Sequence, residues 1–197
     1  MPLLEEIVSD KARIGLWRID GTEREALHDS PDLTELFTVK HPRTQLQRVA
    51  SRLLLAEMLG EFPRVEKDEF GKPHLHDHPW EVSISHTQGF AAVMLGKGKV
   101  GVDVQHYRPT VLKVKDRFLD DRESAMAADV ETATLFWSAK EAIYKFNGRH
   151  GLDFRDPISI HSIDLETLHC SFTHGKESVG LTLGWKRLDG AVLVWTT

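Results

Sequence analysis

Apolar residues recur along the chain in two rhythms, one helical and one extended. From Pro42 to Leu59, Leu46, Val49, Leu53, Ala56 and Leu59 return at three- and four-residue steps. That is the period of an amphipathic helix, with Pro42 suited to its first turn and Gly60 to its end. A second run, "LFWSAKEAIYKFNG" from Leu135 to Gly148, sets Leu135, Phe136, Ala139, Ala142, Ile143 and Phe146 on one side. Between and around these runs the pattern is that of strands. "ARIGLWRI" (Ala12 to Ile19) reads as an opening strand, and "TERE" (Thr22 to Glu25) matches a capping box ahead of a helix. After the turn "FGKPHL", the segments "EVSISH" and "GFAAVML" are joined by Thr87, Gln88 and Gly89 as a hairpin, and "KVGVDVQ" follows as a third strand.

The later part repeats this order loosely. Helices are predicted around Val111 to Phe118, Asp120 to Ala127 and Glu131 to Asn147, followed by the strands "ISIHSID", "TLHCSFTH", "SVGLTLGWKRL" and "AVLVWTT". The expectation is an α+β protein of two halves, 1–98 and 99–197, each with helices against an antiparallel sheet. The duplication rests on element order, with no residue-level repeat.

Charge and composition narrow the function classes. With 30 acidic against 25 basic residues and a net charge of −5, the chain has no nucleic-acid-binding character. Any phosphate site must therefore be local. The single Cys170 excludes an internal disulfide, and its alternation with polar neighbours in "LHCSFTH" reads as a structural thiol. No apolar stretch has membrane-spanning length, and "MPLLEEIVSDK" lacks the basic flank and apolar run of a leader, so a cytoplasmic location is expected.

Against this background a few charged residues stand in unusual company. In "KVGVDVQ" strand alternation sends Val100, Val102 and Val104 to one face and Gly101, Asp103 and Gln105 to the other. An aspartate among valines needs a cation, a set of donors or water, because an unpaired buried carboxylate loses several kcal/mol of hydration. An edge strand with one wet face would supply the water. In the helix, Lys140, Glu141 and Lys145 are surrounded by Trp137, Ala142, Ile143, Tyr144 and Phe146. Glu141 and Lys145 also form an i, i+4 pair, worth only about 0.2–0.5 kcal/mol on an exposed helix. A helix carboxylate opposing a strand aspartate, with a lysine one turn away, equips a site for Mg²⁺ and a phosphate. Ser85 and His86 at a strand end and Lys72 in the "FGKP" turn are further phosphate donors, and Arg43, Arg48 and Arg52 share the first long helix. A competing cluster, His74, His76 and His78 in "HLHDHPWE", suits Zn²⁺ or Fe²⁺ if the strand places all three imidazoles on one face.

The ordered set "FGKPHL", "ISHT", "VGVDVQ" and "FWSAKEAIYK", with "GLDFR" after it, resembles the 4′-phosphopantetheinyl transferases. In particular it resembles the longer monomeric type, typified by the surfactin-synthetase activating enzyme. The resemblance covers roughly Arg43 to Asp156, and it implies a pseudo-dimer of two similar α+β halves with the active site between them. By the same resemblance Asp103 and Glu141 are Mg²⁺ ligands and Lys145 neutralises the pyrophosphate of coenzyme A. Lys72, Ser85 and His86 lie along the nucleotide and its phosphates, and Arg43 meets the 3′-phosphate, with Arg48 or Arg52 as substitutes. Many relatives have a metal-binding glutamate where this chain has Gln105, which can offer a carbonyl oxygen or hold a water. The implied partners are coenzyme A and an apo acyl or peptidyl carrier protein, for a monomeric enzyme with no nucleic-acid or membrane partner. The alternatives are a Zn²⁺ or Fe²⁺ hydrolase built on the three histidines, and a non-catalytic module that binds coenzyme A.

Overall fold

Strand β1 (Leu3–Val8) opens the first half, paired antiparallel with β2 (Ala12–Arg18). The apolar pattern does not announce β1. Its centre is acidic, and as an edge strand it leaves Leu4 and Val8 exposed. Next come α1 (Glu23–Asp29), a 3₁₀ stretch (Pro31–Thr38) and α2 (Pro42–Leu59), which stops at Gly60 with φ of 80°. Strands β3 (Val65–Lys67) and β4 (Pro73–Leu75) form a small hairpin ahead of β5 (Glu81–Thr87) and β6 (Phe90–Gly96). The main sheet has the order β1-β2-β6-β5.

In the later half β7 (Val102–His106) leads to α3 (Val111–Val114), a 3₁₀ turn (Lys115–Arg117), α4 (Asp121–Met126) and α5 (Val130–Asn147). Four strands follow: β8 (Ile158–Ile163), β9 (Thr167–His174), β10 (Glu177–Leu188) and β11 (Ala191–Thr196). They form an antiparallel sheet of order β7-β11-β10-β9-β8. This computed structural model describes residues 3–148, 153–175 and 177–197, so Gly151 and Leu152 of "GLDFR" lie outside the described residues. The chain divides into two units, Met1–Gly98 and Lys99–Thr197.

Each unit buries one face of a long helix against its sheet. In the first, Ala50, Leu54, Leu55 and Met58 of α2 meet Trp17, Val82, Ala91, Val93 and Leu95. The buried stripe of α2 is rotated from the one its sequence suggests: Leu46, Leu53, Ala56 and Leu59 are only partly covered. Three consecutive leucines, Leu53 to Leu55, leave the sequence pattern ambiguous, and the sheet selects the last two. In the second unit Phe136, Ala139, Ala142 and Ile143 of α5 pack on Ile158, Ile160, Leu168, Leu183, Val192 and Val194. Fully burying one such side chain is worth about 1.5–3 kcal/mol, so these contacts fix how α5 lies on the sheet.

Two local devices differ from the sequence reading. The "TERE" capping box does not form: Thr22 is itself in helical conformation, and Asp20 accepts from its backbone and hydroxyl. Glu23 turns inward instead, accepting from Trp17 Nε1 and from the Gly21 amide, each at 2.9 Å. A true capping box stands at α4, where Asp120 accepts from the Glu123 amide and Glu123 from the Asp120 amide. The strand "KVGVDVQ" lies in the second sheet, beside β11.

Candidate active site

The site grows from the contact between β7 and α5. Helix α5 starts where the Asp129 carboxylate accepts from the Thr132 amide, and ends at Gly148 with φ of 69°. It lies so close to the strand that a Cβ on Gly101 would come within 2.0 Å of the Ala142 carbonyl oxygen. The face of β7 that sequence alternation assigns to Asp103 is therefore covered by helix, although β7 is an edge strand. Asp103 is 1% exposed. The wet-edge account of this aspartate fails because α5 displaces the water.

The helix replaces that water with donors at matching spacing. Ser138 Oγ donates to Asp103 Oδ2 at 2.9 Å, and Lys145 Nζ donates to Asp103 Oδ1 at 2.8 Å and to the Val102 carbonyl at 3.0 Å. Ser138, Glu141 and Lys145 are successive turns of one helix face. Glu141 shares this low-dielectric corner with a second carboxylate, and its pKa is pushed up from 4.5 to about 7. Burial is the main cause and the negative charge of Asp103 adds to it, while Lys145 opposes both.

Lys140 belongs to a different face. It is fully buried, and its ammonium donates to Glu123 Oε2 at 2.7 Å and to the carbonyls of Phe154 and Ile158 at 2.8 Å each. Burial lowers its pKa, and the Glu123 pair works against that shift. Glu123 also accepts from the amides of Asp120 and Ile160. Both charges are satisfied, so Lys140 ties α5 to α4 and β8 while Glu141 and Lys145 meet Asp103. Sequence reasoning missed Ser138 and Glu123. The three-residue step from Ser138 to Glu141 is a usable signal for the first, and the capping box at Asp120 is one for the second.

The other predicted site residues are distributed as follows. Gln105 is half-buried, two residues along β7 from Asp103, and lines a cavity of about 510 Å³ that Trp137 and Thr134 also line. In the first unit Lys72 is paired with Glu81 at 2.7 Å. Ser85 is buried and His86 half-buried, at consecutive positions of β5 that point to opposite faces. Arg43 and Arg48 are exposed on α2, whereas Arg52 is paired with Glu35. The three histidines do not converge, which corrects the Zn²⁺ or Fe²⁺ expectation. His74 pairs with Asp68, His76 with Asp77 and His78 with Glu61, because Asp77 at φ of 61° reverses the chain between them. Among the described residues no three His, Cys, Asp or Glu side chains are grouped to hold a metal ion. Cys170 is buried and its thiol is pushed up to about 12, chiefly by burial, so it is inert.

Two carboxylates beside an ammonium are donors of the kind that suit a hard, oxygen-seeking dication and a phosphoryl group. Burial and, after it, the charge of Asp103 disfavour an ionised Glu141, and a hard dication such as Mg²⁺ is a group that would offset both, so Asp103 and Glu141 are chemically suited to it. The second unit thus gathers Asp103, Glu141 and Lys145 where β7 meets α5. Residues 99–188 match the 4′-phosphopantetheinyl transferase superfamily, so this stretch is a domain of that enzyme family. No curated protein matches the chain. Among the described residues no helix is long and apolar enough to cross a membrane.

Proposed function

We propose that the protein transfers the 4′-phosphopantetheine group from coenzyme A to a serine of an apo acyl or peptidyl carrier protein. The single observation that carries this reading is the Asp103, Glu141 and Lys145 cluster inside the matched domain. The serine oxygen forms a bond to the pantetheine-side phosphorus, and the bond from that phosphorus to the bridging oxygen breaks. Adenosine 3′,5′-bisphosphate leaves with the bond's electron pair. Lys145, already aimed by Val102 and Asp103, neutralises phosphate charge at the leaving oxygen. Glu141, directly or through a water, takes the serine proton. Asp103 and Glu141, with Gln105 next along the strand face, would hold Mg²⁺, which would supply Lewis-acid polarisation of the pyrophosphate.

In this reading the first unit serves the nucleotide, with Lys72, Ser85 and His86 along the phosphates and Arg43 or Arg48 at the 3′-phosphate. The two halves are then the related halves of a pseudo-dimer, acting as a monomer. A helix on an antiparallel sheet in each half agrees with that. A non-catalytic coenzyme A module would be expected to lack Glu141 or Lys145, and both are present. The test is mass spectrometry of apo carrier proteins incubated with the protein, coenzyme A and Mg²⁺. A phosphopantetheine adduct on the serine is expected, and its absence across acyl and peptidyl carriers would sink the proposal.

A further inference from the structure

Two buried hydroxyls on the long helices turn back on their own helix. Thr134 Oγ1 donates to the Val130 carbonyl at 2.7 Å and Ser51 Oγ to the Gln47 carbonyl at 2.9 Å, each four residues back. That is the local bond a helix offers such side chains. Ser138, one turn after Thr134 on α5, does otherwise. Its hydroxyl crosses to β7 and donates to Asp103 Oδ2 at 2.9 Å, joining residues that are 0% and 1% exposed. A hydroxyl has one hydrogen, so this bond commits Ser138 to Asp103.

Ser138 and Lys145 hold Asp103 in different ways. Lys145 donates to Oδ1 at 2.8 Å with a charge, which offsets part of the charge of the carboxylate, and its side chain is partly exposed. In the proposed reaction its ammonium also serves phosphate, so its hold on Asp103 is shared. Ser138 fixes Oδ2 with a neutral donor, away from water, and has no second task. A neutral donor sets the rotation of the carboxylate about its Cβ–Cγ bond and leaves the charge of the other oxygen in place.

We infer that Ser138 is a positioning residue: by holding Asp103 at Oδ2 it keeps Oδ1 turned toward Lys145 and presented to a divalent cation. The inference rests on the reading of Asp103 and Glu141 as Mg²⁺ ligands, and Ser138 acts on the cation only through Asp103.

Mg²⁺ is titrated by calorimetry into the full chain at saturating coenzyme A, without carrier protein, for wild type, Ser138→Ala, Ser138→Cys and Ser138→Thr. Loss of a hydrogen bond to a metal-ligating group commonly weakens metal binding about ten- to a hundredfold, so Ser138→Ala should bind Mg²⁺ at least about tenfold more weakly. Ser138→Cys keeps the shape but is a weak donor and should resemble Ser138→Ala, whereas Ser138→Thr keeps the hydroxyl and should stay within about threefold of wild type. In transfer assays the half-saturating Mg²⁺ concentration should rise by the same factor, while kcat and the coenzyme A constant at saturating Mg²⁺ move less than about twofold. Thermal unfolding in chelator separates this from a packing role. A side chain that only joined α5 to β7 would lower the transition of Ser138→Ala and leave the Mg²⁺ affinity of the folded protein unchanged, and that result would overturn the inference. Wild-type Mg²⁺ affinity in Ser138→Cys would overturn it as well, and the Ala and Cys variants decide the matter if Ser138→Thr does not fold. If wild type takes up no Mg²⁺, the reading of Asp103 and Glu141 fails together with the inference; if wild type binds Mg²⁺ and Ser138→Ala binds it equally, the inference alone fails.

Discussion

Replacing Glu141 by Gln should stabilise the metal-free protein while abolishing its activity. The raised pKa gives the reason: folding buries Glu141 beside Asp103, so the folded state holds the proton up to about pH 7, against 4.5 for an ordinary glutamate. A folded pKa above the unfolded one contributes stability that is present below the unfolded value and lost as the pH rises through the folded value. The window here runs from about 4.5 to about 7. Above it, wild type carries an ionised Glu141 at a cost of about 2–3 kcal/mol, after allowance for the partial exposure of the side chain. Gln keeps the volume and cannot ionise. At about pH 8 the variant should therefore unfold roughly 5–10 °C higher than wild type in chelator, with the gap falling below about 1 kcal/mol near pH 5. Mg²⁺ should raise the transition of wild type and leave that of Glu141→Gln nearly unmoved. Thermal unfolding across this pH range, with and without Mg²⁺, is the assay. A variant no more stable than wild type at the higher pH, or a gap independent of pH, would refute the environment assigned to Glu141.

Gln105→Glu adds a third carboxylate, so the half-saturating Mg²⁺ concentration should fall with the coenzyme A constant much less affected; identical Mg²⁺ titrations of binding and activity would take Gln105 out of the site. Lys140→Met should cost about 3–5 kcal/mol in urea unfolding by stranding the buried Glu123, and Lys140→Met with Glu123→Gln should recover part of it. Charge reversal at Lys113 or Arg117 should raise the Michaelis constant for an acidic carrier and weaken its salt dependence. Lys115→Glu should instead lower the melting temperature, because Lys115 donates to the carbonyls of Ser124 and Ala127. Gly101→Ala should disrupt the second unit, seen as lost cooperative unfolding, since the atom in the way is backbone.

Much of this protein is determined locally and is legible in the sequence. The periods of three to four and of two residues place α2, α5 and most strands, because burial of one face is a property of the segment itself. Gly60 and Gly148 mark both long-helix ends, and the alternation in β7 puts Gly101, Asp103 and Gln105 on one face. The charges in "LFWSAKEAIYKFNG" can be seen to lack a solvated face. Their division of labour cannot, because Lys140 and Glu141 are neighbours in the chain and their partners are not. Glu123 and the Phe154 and Ile158 carbonyls claim Lys140, while Asp103 faces Glu141 and Lys145 from another strand. Only the tertiary structure decides such pairings. They depend on α5 lying within contact of Gly101, on which leucines of α2 the sheet selects, and on chain reversals such as the one at Asp77 that separates the histidines. The sequence by itself determines which charged residues stand in apolar company; packing over long separations determines which of them meet, and so which are left to hold the fold.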